Sequence, residues 1–416
     1  MIAAAPGASA IDLAGTIRAT TLDVTLAKAR ALLRAVGITR IGNVTGLDHV
    51  GVPTWQVVRP LARSLTVSQG KGLTDGLAQA SGIMESLELH HAEHFAPRGH
   101  CKSLRDAARD ARYVNPLLLP VRRDARVEEN ASTEWIEGVD LLSGTSRWVP
   151  RDCIDLDSAS KREHPRLFVG SSNGLASGNT SAEATLHAVC ELIERDQVSF
   201  WHARRYLAAD ALRTRLRLDS VATEACKWLL GKCREAGLRV AAWYVTQDIP
   251  VPCFTCTVYD GCGETFYPQR ASGHGCHPYR RIALSRAITE ALQSRLTHIA
   301  GGRDDMFWSL YRNVLPVDND KGRDWARGLE AESEQVQFDD IPEAPGLATI
   351  DEMLDWVLAA LRTGGFPQAI VVDLAQSQLG IPVVHVTVPG LEGPIGKPGY
   401  TPGPRMQHFL KDRLLS

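Results

Sequence analysis

The chain has no stretch approaching the roughly 20 consecutive apolar residues that a membrane-spanning helix needs. Its opening, MIAAAPGASAIDLAG, lacks a basic lead-in and a sustained apolar run. Export and membrane insertion are not expected, and the reading is a cytoplasmic protein. Blocks of like charge are also missing: 46 Lys and Arg face 48 Asp and Glu over 416 residues, a net charge of -2. Without a basic patch there is no electrostatic basis for sequence-independent binding to nucleic acid or an anionic membrane. Two nucleotide signatures are absent as well. No GxxxxGKS or GxxxxGKT occurs, and the glycine-rich Gly70, Lys71 and Gly72 do not continue with dinucleotide spacing. The nine cysteines are scattered, with one CxxC at Cys253 and Cys256. Strand-like alternation there would point the two thiols to opposite faces, which excludes a zinc or redox pair and leaves buried reduced thiols. Only Cys276, in SGHGCHPYRR, has neighbours polar enough for reactivity to be considered.

What is present is an ordinary globular composition, 44% hydrophobic and 23% charged. Periodicity predicts a helix over 25–36, strands over 52–60 and 63–68, and a helix over 75–95 with Thr74 or Asp75 as its cap. Strand-like 117–123 and a hairpin over 132–150, turning at Ser143 and Gly144, follow. A capping box from Thr180 to Glu183 opens a second long helix, which runs through about Trp201. Strands over 238–246 and 251–260 precede a third, opened by Pro278 and closed by Gly301 and Gly302. The charged stretch 311–346 reads as a surface excursion, and a helix over 350–362 and strands over 368–374 and 382–390 complete the body. No repeat or low-complexity linker divides the chain, so one α+β domain is expected.

Three of these helices share one spacing. Ser81, Glu85 and Glu88 stand at i, i+4 and i+7, as do His187, Glu191 and Glu194, and again Arg286, Glu290 and Gln293. That spacing puts each triad on one helix face. Apolar residues such as Met84, Leu87, Leu192 and Ile193 interleave the glutamates, so these helices are read as buried on most sides. Five carboxylates meeting in a buried place would repel one another unless cations hold them. Oxygen ligands with few histidines or thiolates suit magnesium bridging to phosphate. Lys71, between two glycines, can bring a cation and free backbone amides to the same place.

At these residues the chain resembles the YcaO family. The segments that carry the likeness are PTWQVVRP, GKGLTDGLAQASGIMESLE, SNGLASGNTSAEATLHAVCELIERD, GHGCHPYRRIALSRAITEALQSR and IPVVHVTVPGLEGP. The resemblance implies a single YcaO-type α+β domain, mixed β-sheets packed by helices, with a non-P-loop ATP site lined by helical glutamates. Residues 1–50 would contribute an N-terminal segment, 51–395 the catalytic body and 396–416 a Gly/Pro-rich tail. Carried over by position, Glu85, Glu88, Glu191 and Glu194 would bind Mg2+, with Glu191, Glu194 and Arg286 in catalytic roles. Arg18, Thr25, Lys71, Ser81, Asn179, Arg195, Arg286, Glu290 and Gln293 would contact ATP, and His187 replaces a serine of the commoner pattern.

Family members activate a peptide amide by phosphorylating its oxygen. Delivered sulfide then gives a thioamide, often with a TfuA-like partner protein, whereas a neighbouring Cys, Ser or Thr gives an azoline. Azoline-forming members commonly end in PxPxP. Here GYTPGPRMQHFLKDRLLS departs from that pattern, so thioamide formation on a peptide or protein substrate is the expectation. Azoline formation and a non-catalytic ATP-binding accessory role are the alternatives. The resemblance implies a separate protein, TfuA-like for sulfur or E1-like for peptide binding, and leaves a homodimer open.

Overall fold

The computed structural model describes residues 9–95, 99–126, 128–159, 166–207, 214–260, 270–308, 311, 319–333, 335–393 and 400–414. A short hairpin, β1 (Ile11–Asp12) and β2 (Ile17–Arg18), leads into α1 (Leu22–Ala31). The strands β3 (Arg40–Asn43), β4 (Thr54–Val58) and β5 (Val67–Lys71) form an antiparallel sheet in that order, followed by α2 (Asp75–Glu93). Next come β6 (His100–Ser103), α3 (Leu104–Ala108), β7 (Ser132–Asp140), β8 (Ser146–Pro150), β9 (Leu175–Ser177) and α4 (Ser181–Leu207). After α5 (Glu224–Glu235), a second three-stranded antiparallel sheet is made by β10 (Leu238–Tyr244), β11 (Cys253–Asp260) and β12 (Arg270–Cys276). The chain continues through α6 (Arg280–Ala300), α7 (Asn319–Ala331), α8 (Ile350–Thr363), β13 (Ile370–Asp373), β14 (Val383–Thr387) and α9 (Pro404–Leu414). The late strands β13 and β14 return to join β7 and β9 in a six-stranded sheet, ordered β6-β7-β13-β14-β9 with β8 on β7.

Each of the three long helices is mounted on a different sheet. The first, α2, lies on β4 and β5; α4 lies on β9 and β14; α6 lies on β11 and β12. Glycines set the closeness of two mounts. A Cβ on Gly70 would overlap the Ala78 carbonyl oxygen and the Gly82 nitrogen of α2, and one on Gly275 would overlap the Ala283 carbonyl of α6. Only a residue without a side chain lets a helix backbone approach a strand this closely. Thr74 caps α2 by accepting a hydrogen bond from Leu77 N at 3.3 Å, and α6 stops at Gly301, whose φ of 58° is left-handed.

Several elements differ from the sequence reading. The expected strand over 63–68 is displaced to Val67–Lys71, because glycines facing a helix hide the alternation on which the reading depends. Residues 117–123 form no strand. Asn115 caps a single 3-10 turn at Pro116–Leu118, and Val121 and Arg122 make only isolated bridges. The first helix starts and ends earlier than 25–36, at Leu22–Ala31. The glycine-rich GHGCH just before the third helix, where no strand is expected, belongs largely to β12. The described residues of the stretch 311–346 pack down in part rather than standing off: Ala326, Leu329, Phe338 and Ile341 are all buried. Cys276 is fully buried and burial pushes its thiol well up, so its polar sequence neighbours misled. Cys253 and Cys256 do point into different cores.

Candidate functional site

The three mounted helices converge on one cavity of about 510 Å³, and every site residue named from the sequence lines it. Along α2, Ser81, Glu85 and Glu88 face it; along α4, Glu183, His187, Glu191, Glu194 and Arg195; along α6, Arg286, Glu290 and Gln293. Lys71 enters from the end of β5, and Arg18 and Thr25 from β2 and α1. Residues four and seven apart share a helix face, so each triad can serve a common space.

Opposite charges are distributed around the walls. The Glu88 carboxylate accepts hydrogen bonds from Ser177 N at 2.8 Å and Ser177 Oγ at 2.7 Å. Glu85 accepts from Gln69 N at 3.2 Å and Glu191 from Gly174 N at 3.3 Å. Arg195 stands 3.7 Å from Glu191, 3.5 Å from Glu194 and 3.9 Å from Glu290, while Lys71 Nζ is 2.7 Å from Glu290. With only the protein's own charges around them, burial pushes Glu88 up to about 8 and Glu194 up to about 7, and it raises Glu85 and Glu191 too. At Glu290 burial works upward, yet Lys71 and Arg195 outweigh it and hold the carboxyl at about 2. Burial, reinforced by Arg286, Arg18 and Lys71, keeps His187 neutral. The walls thus carry more carboxylate than their arginines and lysine neutralise.

These carboxylates stand around the space rather than converging on one point: among the described residues no group of three or more His, Cys, Asp or Glu is drawn together for an ion. Such spacing fits magnesium, which binds through one or two carboxylates and completes its shell with water and phosphate oxygens. It does not fit an all-protein calcium or zinc cage.

A second cluster lies at the other end of α4. Glu183 accepts from Arg18 Nη1 at 3.2 Å, from Ala19 N at 2.8 Å and from Asn179 Nδ2 at 3.1 Å, and Thr25 Oγ1 donates to Asn179 Oδ1 at 2.9 Å. Arg18, Thr25 and Asn179 are therefore brought together through Glu183, which the sequence pattern shows only as half of a capping box. Glu183 N does bond Thr180 Oγ1 at 3.1 Å, but the carboxylate turns toward the cavity. Two further lining residues were missed. His274, held by Thr255 Oγ1 at 2.9 Å from Nδ1, sits on β12 beside Glu290, and Arg303 follows the Gly301 and Gly302 stop. The signal for His274 was its place between two glycines; nothing in the spacing singled out Arg303.

Three comparisons agree with this geometry. The family profile described as YcaO cyclodehydratase, ATP- and Mg2+-binding, matches residues 69–392. An uncharacterized protein in the tfuA 3' region of Rhizobium leguminosarum bv. trifolii is 35% identical over 90% of this chain and 88% of its own. An uncharacterized protein of Mycobacterium tuberculosis is 33% identical over 93% of this chain and 85% of its own. Among solved structures, YcaO from Methanopyrus kandleri bound with AMPPCP and Mg2+ superposes with a TM-score of 0.70 at 21% identity, covering 92% of this chain and 95% of that one. A heterocyclase in complex with substrate and cofactor gives 0.75 at 22% identity, covering 90% of this chain and 53% of that one. With more than half its length matched and its helical carboxylates gathered on one cavity, the chain belongs to the YcaO family of ATP- and Mg2+-dependent peptide-modifying enzymes.

Proposed function

We propose that this enzyme uses ATP to phosphorylate a peptide backbone amide oxygen, which hydrosulfide then replaces to leave a thioamide. The observation that carries the reading is the gathering of six helical glutamates with Arg195, Arg286 and Lys71 around one cavity. Bound ATP supplies the phosphoryl group, and magnesium neutralises charge on the phosphates. Glu85, Glu88, Glu191 and Glu194 would hold the metal. Ser177 and the Gly174 and Gln69 amides orient three of those carboxylates. Arg195 and Lys71 fix Glu290 and stand ready for phosphate charge, and Arg286, whose Nη1 donates to the Cys276 carbonyl at 3.4 Å, is aimed by β12. Arg18, Thr25, Asn179 and Glu183 form a polar corner that suits the nucleoside, with Ser81 and Gln293 on the neighbouring walls.

Two observations favour sulfur over ring closure. A relative at 35% identity lies in a tfuA 3' region, which accords with a TfuA-like sulfur-delivering partner. Among the described residues after β14, α9 packs on the Phe200 and Ala203 side of α4 and none lines the cavity, an arrangement unlike a terminal arm that enters the site. The test is mass spectrometry of a peptide encoded beside the gene, after incubation with ATP, Mg2+, sulfide and the TfuA-like protein. Exchange of oxygen for sulfur raises its mass by about 16 Da and requires sulfide, whereas loss of water lowers it by about 18 Da, the departing oxygen being activated by phosphorylation in both cases. A sulfide-independent water-loss product would replace this reading with azoline formation.

A further inference from the structure

The helix that carries Glu191, Glu194 and Arg195 is gripped from behind by the C-terminal segment. Asp196 and Phe200 follow His187 and Glu191 by nine residues each, about two and a half turns, and so project from the side of α4 opposite the cavity. There Asp196 is wholly buried, and its Oδ1 accepts from Glu392 N at 2.8 Å and from Arg405 Nη1 at 2.7 Å. Arg405 Nη2 donates to Asp248 at 2.6 Å, and the guanidinium lies 4.7 Å from the ring centroids of both Phe200 and Phe366. Glu392 ties the start of α9 by accepting from Gly403 N at 2.8 Å and Met406 N at 3.1 Å. Met406, Phe409 and Leu410 then cover Phe200 and Ala203.

We propose that Arg405 is a positioning residue for the magnesium-nucleotide site: by neutralising Asp196 from behind, it fixes the turn of α4 that presents Glu194 and Arg195 to the cavity. Removing Arg405 leaves the buried Asp196 without its charge partner and empties the space between Phe200 and Phe366 that the guanidinium fills, which loosens the support behind this turn. Asp196 sits on the same turn of α4 as Glu194 and Arg195, so an adjustment there shifts both side chains at the cavity wall. The C-terminal helix therefore acts on nucleotide binding without touching the nucleotide. The inference rests on the family's ATP and Mg2+ binding and is independent of whether sulfur or ring closure follows.

The experiment is calorimetric titration of Mg-ATP into the full chain. Arg405→Met should weaken binding by about tenfold or more, Arg405→Lys, which keeps the charge, should bind within about threefold of wild type, and Asp196→Asn/Arg405→Met should recover to a similar level because no buried charge is then left unpaired. Met406→Ala supplies the contrast: it removes apolar cover from α9 but leaves the ion pair, so it should lower Tm with affinity unchanged. Wild-type affinity in Arg405→Met overturns the proposal, and so does an equal loss in Met406→Ala. If Arg405→Met does not fold, failure of the double variant to recover binding, or equal weakening in Met406→Ala, overturns it. A wild-type chain that binds no Mg-ATP would remove the nucleotide site itself and this role with it.

Discussion

Glu88 and Glu194 sit in surroundings that favour their protonated forms, and a pH dependence of definite sign follows. Both ionise near 4.5 in an unfolded chain, whereas burial raises them to about 8 and about 7 in the folded one. Between those limits the folded protein holds more protons than the unfolded, so the protein alone should lose stability as pH rises from about 4.5 through 8. Magnesium selects the ionised carboxylates, so its affinity in the presence of ATP should climb between pH 6 and 8.5 and binding should release protons. Calorimetry in two buffers of different ionisation heat counts those protons; a count of zero would contradict the assignment. Glu88→Gln should weaken Mg-ATP by roughly tenfold or more, while the metal-free variant keeps its Tm or gains slightly and loses its share of the pH dependence.

At the scale of elements, the placement of the carboxylates depends on how closely helices ride on strands. Gly275→Ala forces α6 away from β12, since the new methyl meets the Ala283 carbonyl rather than a yielding side chain. The expected cost is about 1–3 kcal/mol of stability, with a loss of Mg-ATP affinity as Arg286 and Glu290 move. Gly231→Ala, in α5 with nothing within 4 Å of the added methyl, should instead stabilise by up to about 1 kcal/mol and leave affinity alone. Thermal melts and titrations of the two variants check the contrast, and equal effects would show that the close approach does not set the site. These same glycines explain what the sequence conceals. Helical period is local, so Ser81, Glu85 and Glu88 are legible as one face, as are the triads of α4 and α6. Strand period is carried by side chains, and β5 and β12 have glycines where the alternation should appear, so one strand was displaced and the other missed.

For the molecule as a whole, spacing could say which residues share a helix face but not that three faces meet. That convergence is made by three separate sheets, and the resemblance to a family anticipated it where periodicity could not. Glu183 and His274 stayed hidden for the same reason: their role depends on what stands opposite, Arg18 and Asn179 for one and Glu290 for the other. Because the cavity joins all three sheets, a bound nucleotide should stabilise the entire chain. Mg-ATP at about a hundred times its Kd should add about 2.7 kcal/mol, read as a single upward shift of the melt, with ATP or Mg2+ alone giving much less. A melt that splits into two transitions would show that the sheets unfold independently.

The convergence of α2 with α6 also sets an order of events during synthesis. About 200 residues separate Glu88 from Glu290, and at roughly 5–20 residues per second a ribosome takes about 10–40 s to cover that distance. Throughout that interval the carboxylates of α2 have been made and those of α6 have not. A nascent chain thus cannot engage the complete proposed nucleotide site until α6 has emerged, and α9, the proposed support of α4, follows more than 100 residues later.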